Sequence, residues 1–210
     1  MNKLTQLILG SMIILPVTTY ASTFSGPCSI KNQTQESVTC NGPATLKQST
    51  ITGDVTINGP AEIDEVTIDG NLTVHGQVSL DKTAVKGITT VNGPLKADDS
   101  TLATLTIHGP LKIDESTISG KTTIAGLIDA DETTFNNTVT ASTNIIKLEE
   151  STIRGDLIVS SDQPPMVTLS DKSVITGEVI FKKVSGSVLT KDNQSKTGNV
   201  KNGSKIQHSS

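Results

Sequence analysis

The sequence predicts an all-β fold, a single-stranded parallel β-helix, and three observations carry that prediction. Gly42, Gly59, Gly76, Gly93, Gly109 and Gly126 recur at intervals of 17, 17, 17, 16 and 17 residues. Apolar residues fall into columns when the chain is written in rows of that period. Triplets of the V-T-I and L-T-V type alternate apolar and Thr, the pattern of a strand with one buried face. A period near 17 is too short for a helical repeat and suits one triangular turn of a solenoid.

The first element is a leader, residues 1–21. Lys3 opens it, Leu7–Leu15 is apolar, and Thr19-Tyr20-Ala21 offers small residues for cleavage between Ala21 and Ser22. The apolar run is far short of the roughly 20 residues a membrane span needs. These features predict a periplasmic or secreted protein with no membrane span after cleavage. Losing Lys3 takes the net charge from −4 to −5. Nothing basic marks a nucleic-acid or anionic-membrane surface.

Residues 22–41 form a less regular first coil carrying both cysteines, Cys28 and Cys40. A disulfide suits an exported chain and would pin a terminal coil that has one neighbour, with a contribution on the order of 3 kcal/mol. A metal or redox pair fits poorly, because the spacing is not CxxC and no further ligands lie nearby.

Residues 42–189 form the solenoid. Leu46, Ile63, Leu80, Ala97, Ile113, Ala130 and Leu148 make one inward column. Ile51, Ile68, Val85, Leu102, Ile118, Phe135 and Ile153 make a second, and Ile57, Val74, Val91, Ile107, Ile124 and Ala141 a third. Glycines supply corners that need φ > 0 or close packing. Pro43, Pro60, Pro94 and Pro110 occupy corners where no ladder N–H is required. About nine turns are expected between residues 24 and 189, with residues 160–166 protruding as a loop around Pro164-Pro165. Residues 190–210 are polar and without period, and predict a disordered tail.

The rows Ser151-Thr-Ile-Arg-Gly-Asp-Leu-Ile-Val159 and Val167-Thr-Leu-Ser-Asp-Lys-Ser-Val-Ile-Thr-Gly-Glu-Val-Ile-Phe181 resemble the bactofilin family of polymer-forming bacterial proteins, a likeness spanning residues 42–181. The resemblance implies a right-handed triangular β-helix that assembles through its coil ends, without nucleotide, and supplies no enzymatic site. A leader peptide departs from the cytoplasmic habit of that family. The expectation is therefore a structural or assembly protein of the bacterial envelope. Val179, Phe181, Val184, Val188 and Leu189 would form the self-associating C-terminal end, where a last turn exposes unpaired backbone groups above an apolar core.

Candidate chemistry is sparse. Asp64, Asp81, Asp98, Asp114, Asp131 and Glu149 share one corner on successive turns, with Glu65, Asp99, Glu115, Glu132 and Glu150 beside them. Stacked like charges repel. They predict either a solvated ridge offset by Lys47, Lys82, Lys96, Lys112 and Lys147, or a site for divalent cations or a basic partner. His75 and His108 share a corner column with Asn41, Asn58 and Asn92 but stand two turns apart, too far for one metal. Threonine ranks at Thr56, Thr73, Thr90, Thr106, Thr123 and Thr140, and at Thr50, Thr67, Thr101, Thr117, Thr134 and Thr152, lie on neighbouring sides. They do not form the paired face of an ice-binding solenoid. Sugar-cleaving β-helices use aromatic platforms and long cleft-building loops, whereas this chain has no Trp, one Tyr and three Phe. No cofactor site and no catalytic residue are predicted.

Overall fold

In a computed structural model, which describes residues 21–207, the chain winds into a β-solenoid of about 11 turns. All described strands belong to one 28-stranded sheet, and every pairing is parallel. The coil at residues 44–57 shows the plan. Side one is 44–47 and side two 49–51, together the bent strand Ala44–Ile51, and side three is Val55–Ile57. The next coil stacks without offset: Leu46 lies against Ile63, Ile51 against Ile68 and Ile57 against Val74. The three anticipated columns are thus the core, and nearly all of their members are fully buried. Each Leu or Ile buried in this way contributes roughly 1.5–3 kcal/mol.

Two kinds of corner turn the chain. Between sides one and two sits a residue in the left-handed region: Gln48, Glu65, Lys82, Asp99, Glu115, Glu132 and Glu150 all have positive φ, between 41° and 52°. The next residue is usually a buried Ser or Thr. Ser116 Oγ donates to Asp114 O at 2.6 Å and accepts from the Ser100 N–H at 2.9 Å. Ser100, Thr133 and Ser151 repeat the donation to a carbonyl two residues back. This hydroxyl ladder satisfies backbone groups that the bend removes from the sheet.

The glycines do the other job. No described glycine has positive φ, so close packing alone explains their columns. A Cβ on Gly59 would lie 2.7 Å from the carbonyl carbon of Gly42, one coil away.

The disulfide forms as expected between Cys28 and Cys40, with Cα atoms 5.9 Å apart. It ties side one of the first coil to the end of its side three. Two expectations need correction. The coils run on past residue 189, to about 11 in all. Residues 190–207 are not a loose tail, because Lys196–Thr197, Val200–Lys201 and Gly203–Gln207 pair in register with the coil before. The protruding loop is 160–165, since Met166 already belongs to the strand Met166–Ser170 and pairs with Ile145. The leader, apart from Ala21, and His208 lie outside the described residues.

Both ends of the rod carry polar side chains at inward positions, beside the partly buried Phe24 at one pole and Val200 at the other. At the N-terminal end Gln35 holds the place of Ile51, accepting from Ser22 Oγ at 2.9 Å and donating to Gln33 Oε1 at 3.0 Å. At the C-terminal end Lys205 stacks on Val188 and Gln207 on Thr190. Val179, Phe181 and Val188 are consequently buried inside the chain rather than presented on an open end. Val184 and Leu189 are half-buried. The extra coil lacked an apolar signature because its inward residues other than Val200 are polar, so it could not be seen in the hydrophobic period.

Candidate functional site

Side one of the solenoid carries the most distinctive surface. Its outer boundary is the acidic edge. Asp64 pairs in register with Asp81, Asp81 with Asp98, and Asp98 with Asp114. Asp131 pairs in the same way with Glu149. The second acidic column projects from the left-handed corner just beyond it. Adjacent coils lie about 4.8 Å apart, so six carboxylates run in single file over roughly 24 Å.

Their mutual repulsion is visible in protonation. Glu132 is pushed above its ordinary pKa, first by Glu115 and then by Glu150, with desolvation and the nearby Asp131 and Asp114 adding to it. Glu149 is raised chiefly by Asp131, then by desolvation and by Asp171, both through charge and through a hydrogen bond.

The lysine offset is smaller than anticipated. Among the described residues, Lys47 alone of the five stripe lysines forms ion pairs, at 2.6 Å to Glu62 and 3.7 Å to Asp64. Lys96, Lys112 and Lys147 stand in the rank along the middle of side one and reach no carboxylate within 4 Å. No cluster of three or more His, Cys, Asp or Glu suited to a metal ion occurs among the described residues. The acids form a line rather than a cage.

The opposite boundary of side one is an apolar rib that sequence reasoning missed. Pro43, Pro60, Gln77, Pro94, Pro110, Leu127, Ile145 and Met166 precede equivalent strand positions on successive coils, and Gln77 is the sole polar member. Leu127, Ile145 and Met166 are 37%, 41% and 48% exposed. Between rib and middle rank runs a groove of about 850 Å³. Its floor is Ala44, Ala61, Val78, Leu95 and Leu111, and its far wall includes Glu62, Lys96, Lys112 and Asp129. A smaller notch of about 210 Å³, bounded by Glu62, Asp64, Asp81, Lys96 and Asp98, joins the rank to the acidic edge.

The prolines were legible singly, as residues without a ladder N–H. Their union with Leu127, Ile145 and Met166 was hidden by an added residue near Asn144 and by the 160–165 loop, which shift the spacing.

The remaining candidates are placed plainly. Asn58 Nδ2 donates to Asn41 Oδ1 at 2.8 Å, Asn92 Nδ2 lies 2.8 Å from His75 Nδ1, and Asn92 Oδ1 lies 3.0 Å from His108 Nδ1. The corner column is thus a hydrogen-bonded ladder in which Asn92 separates the two imidazoles. The threonine ranks follow the register on sides two and three, and Thr23 and Thr39 extend the latter.

The disulfide is of the kind that persists in oxidising, non-cytoplasmic compartments. No helix among the described residues is long and apolar enough to cross a membrane. No protein-family model, curated protein or solved structure matches the chain.

Proposed function

We propose that this chain is an exported, non-enzymatic binding module of the bacterial envelope whose acidic edge holds a basic partner. One observation carries the reading: two unfavourable terms are concentrated in the same stripe. Like charges repeat coil after coil, raising the pKa of Glu132 and Glu149. Glutamates also occupy left-handed corners, which disfavour residues with a Cβ by ~1–2 kcal/mol. Asn or Gly at those corners would relieve both terms. Beyond the exposed Lys47–Asp64 pair and the Gln48–Glu65 hydrogen bond, folding gains nothing from acids there, so contact with a cationic partner is the reason to keep them.

The linear array favours a partner with several positive charges in a row over a single chelated ion. The leader and the disulfide support a periplasmic or secreted location. Self-association through the coil ends ranks lower, because Gln35 at one end and Lys205 and Gln207 at the other place polar groups where a stacking partner would meet the core.

The test is titration of labelled oligolysine into mature protein at low salt, followed by anisotropy. Binding should weaken steeply as salt rises and fall when Asp98→Asn and Asp114→Asn are combined. Absence of oligolysine binding at low salt would sink the reading. A rise in melting temperature with millimolar calcium that the same two changes abolish would reassign the edge to divalent cations. Sedimentation of the unmodified protein as filaments would restore the end-to-end alternative.

A further inference from the structure

We infer that side one docks a basic amphipathic helix lengthwise, its apolar stripe on the proline–leucine rib and its basic stripe along the acidic edge. The inference rests on the reading of that edge as the site of a basic partner, and names the partner's form.

Three observations lead there. The rib is an exposed apolar line that no described part of the chain covers, and three of the five exposed large apolar side chains among the described residues, Leu127, Ile145 and Met166, fall on its consecutive coils. Single exposed apolar residues are ordinary, but a continuous strip beside a groove of about 850 Å³ marks a contact surface. The rib and the acidic edge bound the same flat side, so one partner lying on it must present apolar and basic stripes in parallel.

The second argument is backbone chemistry. The amide and carbonyl groups of side one are spent between coils, as where the Ala44 N–H donates to Pro60 O and the Leu95 N–H to Pro110 O. The face therefore has no free ladder to pair with an added strand. Its occupant must satisfy its own backbone, which an α-helix does.

Dimensions agree. Side one measures about four residues from rib to edge, roughly 13 Å at strand rise, against a helix diameter of ~10–12 Å. The six-carboxylate line of roughly 24 Å corresponds to about 16 helical residues at 1.5 Å each. Charge makes the choice of sign. The edge is acidic on the six consecutive coils from Asp64 to Glu149, while in the middle rank Lys96 and Lys112 are bracketed by Glu62 and Asp129, with Lys147 beyond. A helix docked here has a basic outer stripe and tolerates a carboxylate near its underside.

The experiment compares three probes on the mature protein: an amphipathic Leu/Lys helix of about 18 residues, a scrambled peptide of the same composition, and oligolysine. The amphipathic peptide should bind about tenfold more tightly than the scramble, through apolar area the scramble cannot align. It should also gain helical circular dichroism on binding. Combining Leu127→Ser with Ile145→Ser should remove that advantage and leave oligolysine affinity intact, whereas Asp98→Asn with Asp114→Asn should weaken all three probes. Both rib side chains are exposed, so the fold survives their replacement, and the solenoid spectrum of each variant verifies this.

Equal affinity of helix and scramble, with oligolysine still bound, overturns the helix-docking inference and leaves the acidic-edge reading standing. Failure of all three probes overturns both. A dimer in the unmodified protein that Leu127→Ser with Ile145→Ser converts to monomer makes the rib a self-contact and likewise overturns the inference.

Discussion

Replacing Glu115 with glycine should make the protein more stable, although it deletes a whole side chain. Glu115 has a φ of 42°, where the Cβ of an L-residue crowds the backbone at ~1–2 kcal/mol. Glycine avoids this crowding but loses about 0.5–1 kcal/mol more backbone freedom on folding. The balance is a gain of roughly 0.5–1 kcal/mol, or about 1–4 °C in Tm for a chain of this size. The Glu115 side chain is exposed, and the supporting bonds at this corner belong to Ser116, which the change leaves in place.

Two companion variants separate backbone from charge. Glu115→Gln keeps the Cβ and removes only the repulsion, and Glu115→Asn keeps a side chain that tolerates the left-handed region. Thermal unfolding followed by circular dichroism, at low and high salt, should rank glycine and asparagine above glutamine, with a gap that persists in high salt. If glutamine gives the full gain, or if glycine lowers Tm, the corner is not strained and the backbone half of the functional argument is wrong.

Gly93→Ala should destabilise by about 1–3 kcal/mol, since its Cβ would sit 2.6 Å from Gly76 O and 2.8 Å from Gly76 C, backbone atoms of the preceding coil; an unchanged denaturation midpoint would show that the coils can spread. Thr89→Val should stabilise by about 1 kcal/mol, because the buried Thr89 hydroxyl has no partner and valine replaces it at matched shape; a lower midpoint in urea would contradict this. The pH response has a definite sign. Glu132 and Glu149 have raised pKa values in the fold, so their contribution is fully present below the ordinary carboxylate pKa and is lost as pH rises through the raised values. Glu62 and Asp192 are lowered, by Lys47 and by Ser195 respectively. Their contribution is present above the ordinary value and is lost only at lower pH. At low salt Tm should therefore be higher near pH 5 than near pH 7, and a flat or opposite trend would show that the acid line does not govern stability.

How far the sequence was legible follows from what each residue type signals. Gly42 through Gly126 announced the coil length because backbone approaches backbone there, and only hydrogen fits. The columns headed by Leu46, Ile51 and Ile57 announced the core because the inward positions repeat without exception in type. The acidic edge was legible as a stripe, since strict register turns sequence period into spatial stacking. Its corner geometry was not: Glu has no special liking for positive φ, and the clue lay in the Ser or Thr that follows. The last coil escaped notice because Thr197, Lys205 and Gln207 fill inward places that elsewhere hold Ile, Val and Leu. The rib escaped because proline at a turn already has a sufficient local explanation, which conceals what a stack of prolines presents to the solvent.

The direction of the hydrogen bonds gives the rod a mechanical character. All inter-coil bonds run along the axis, and the described N- and C-terminal ends lie at opposite poles. Tension applied between them would load the ladder one coil at a time, as in unwinding a spring from its tip, rather than shearing many bonds together. Each released coil would lengthen the chain by roughly 50 Å, the extent of 17 extended residues less one coil rise. The Cys28–Cys40 staple holds the first coil closed, so unwinding starts at the opposite pole. A tethered rod of this kind absorbs extension in steps and can rewind against an intact neighbour.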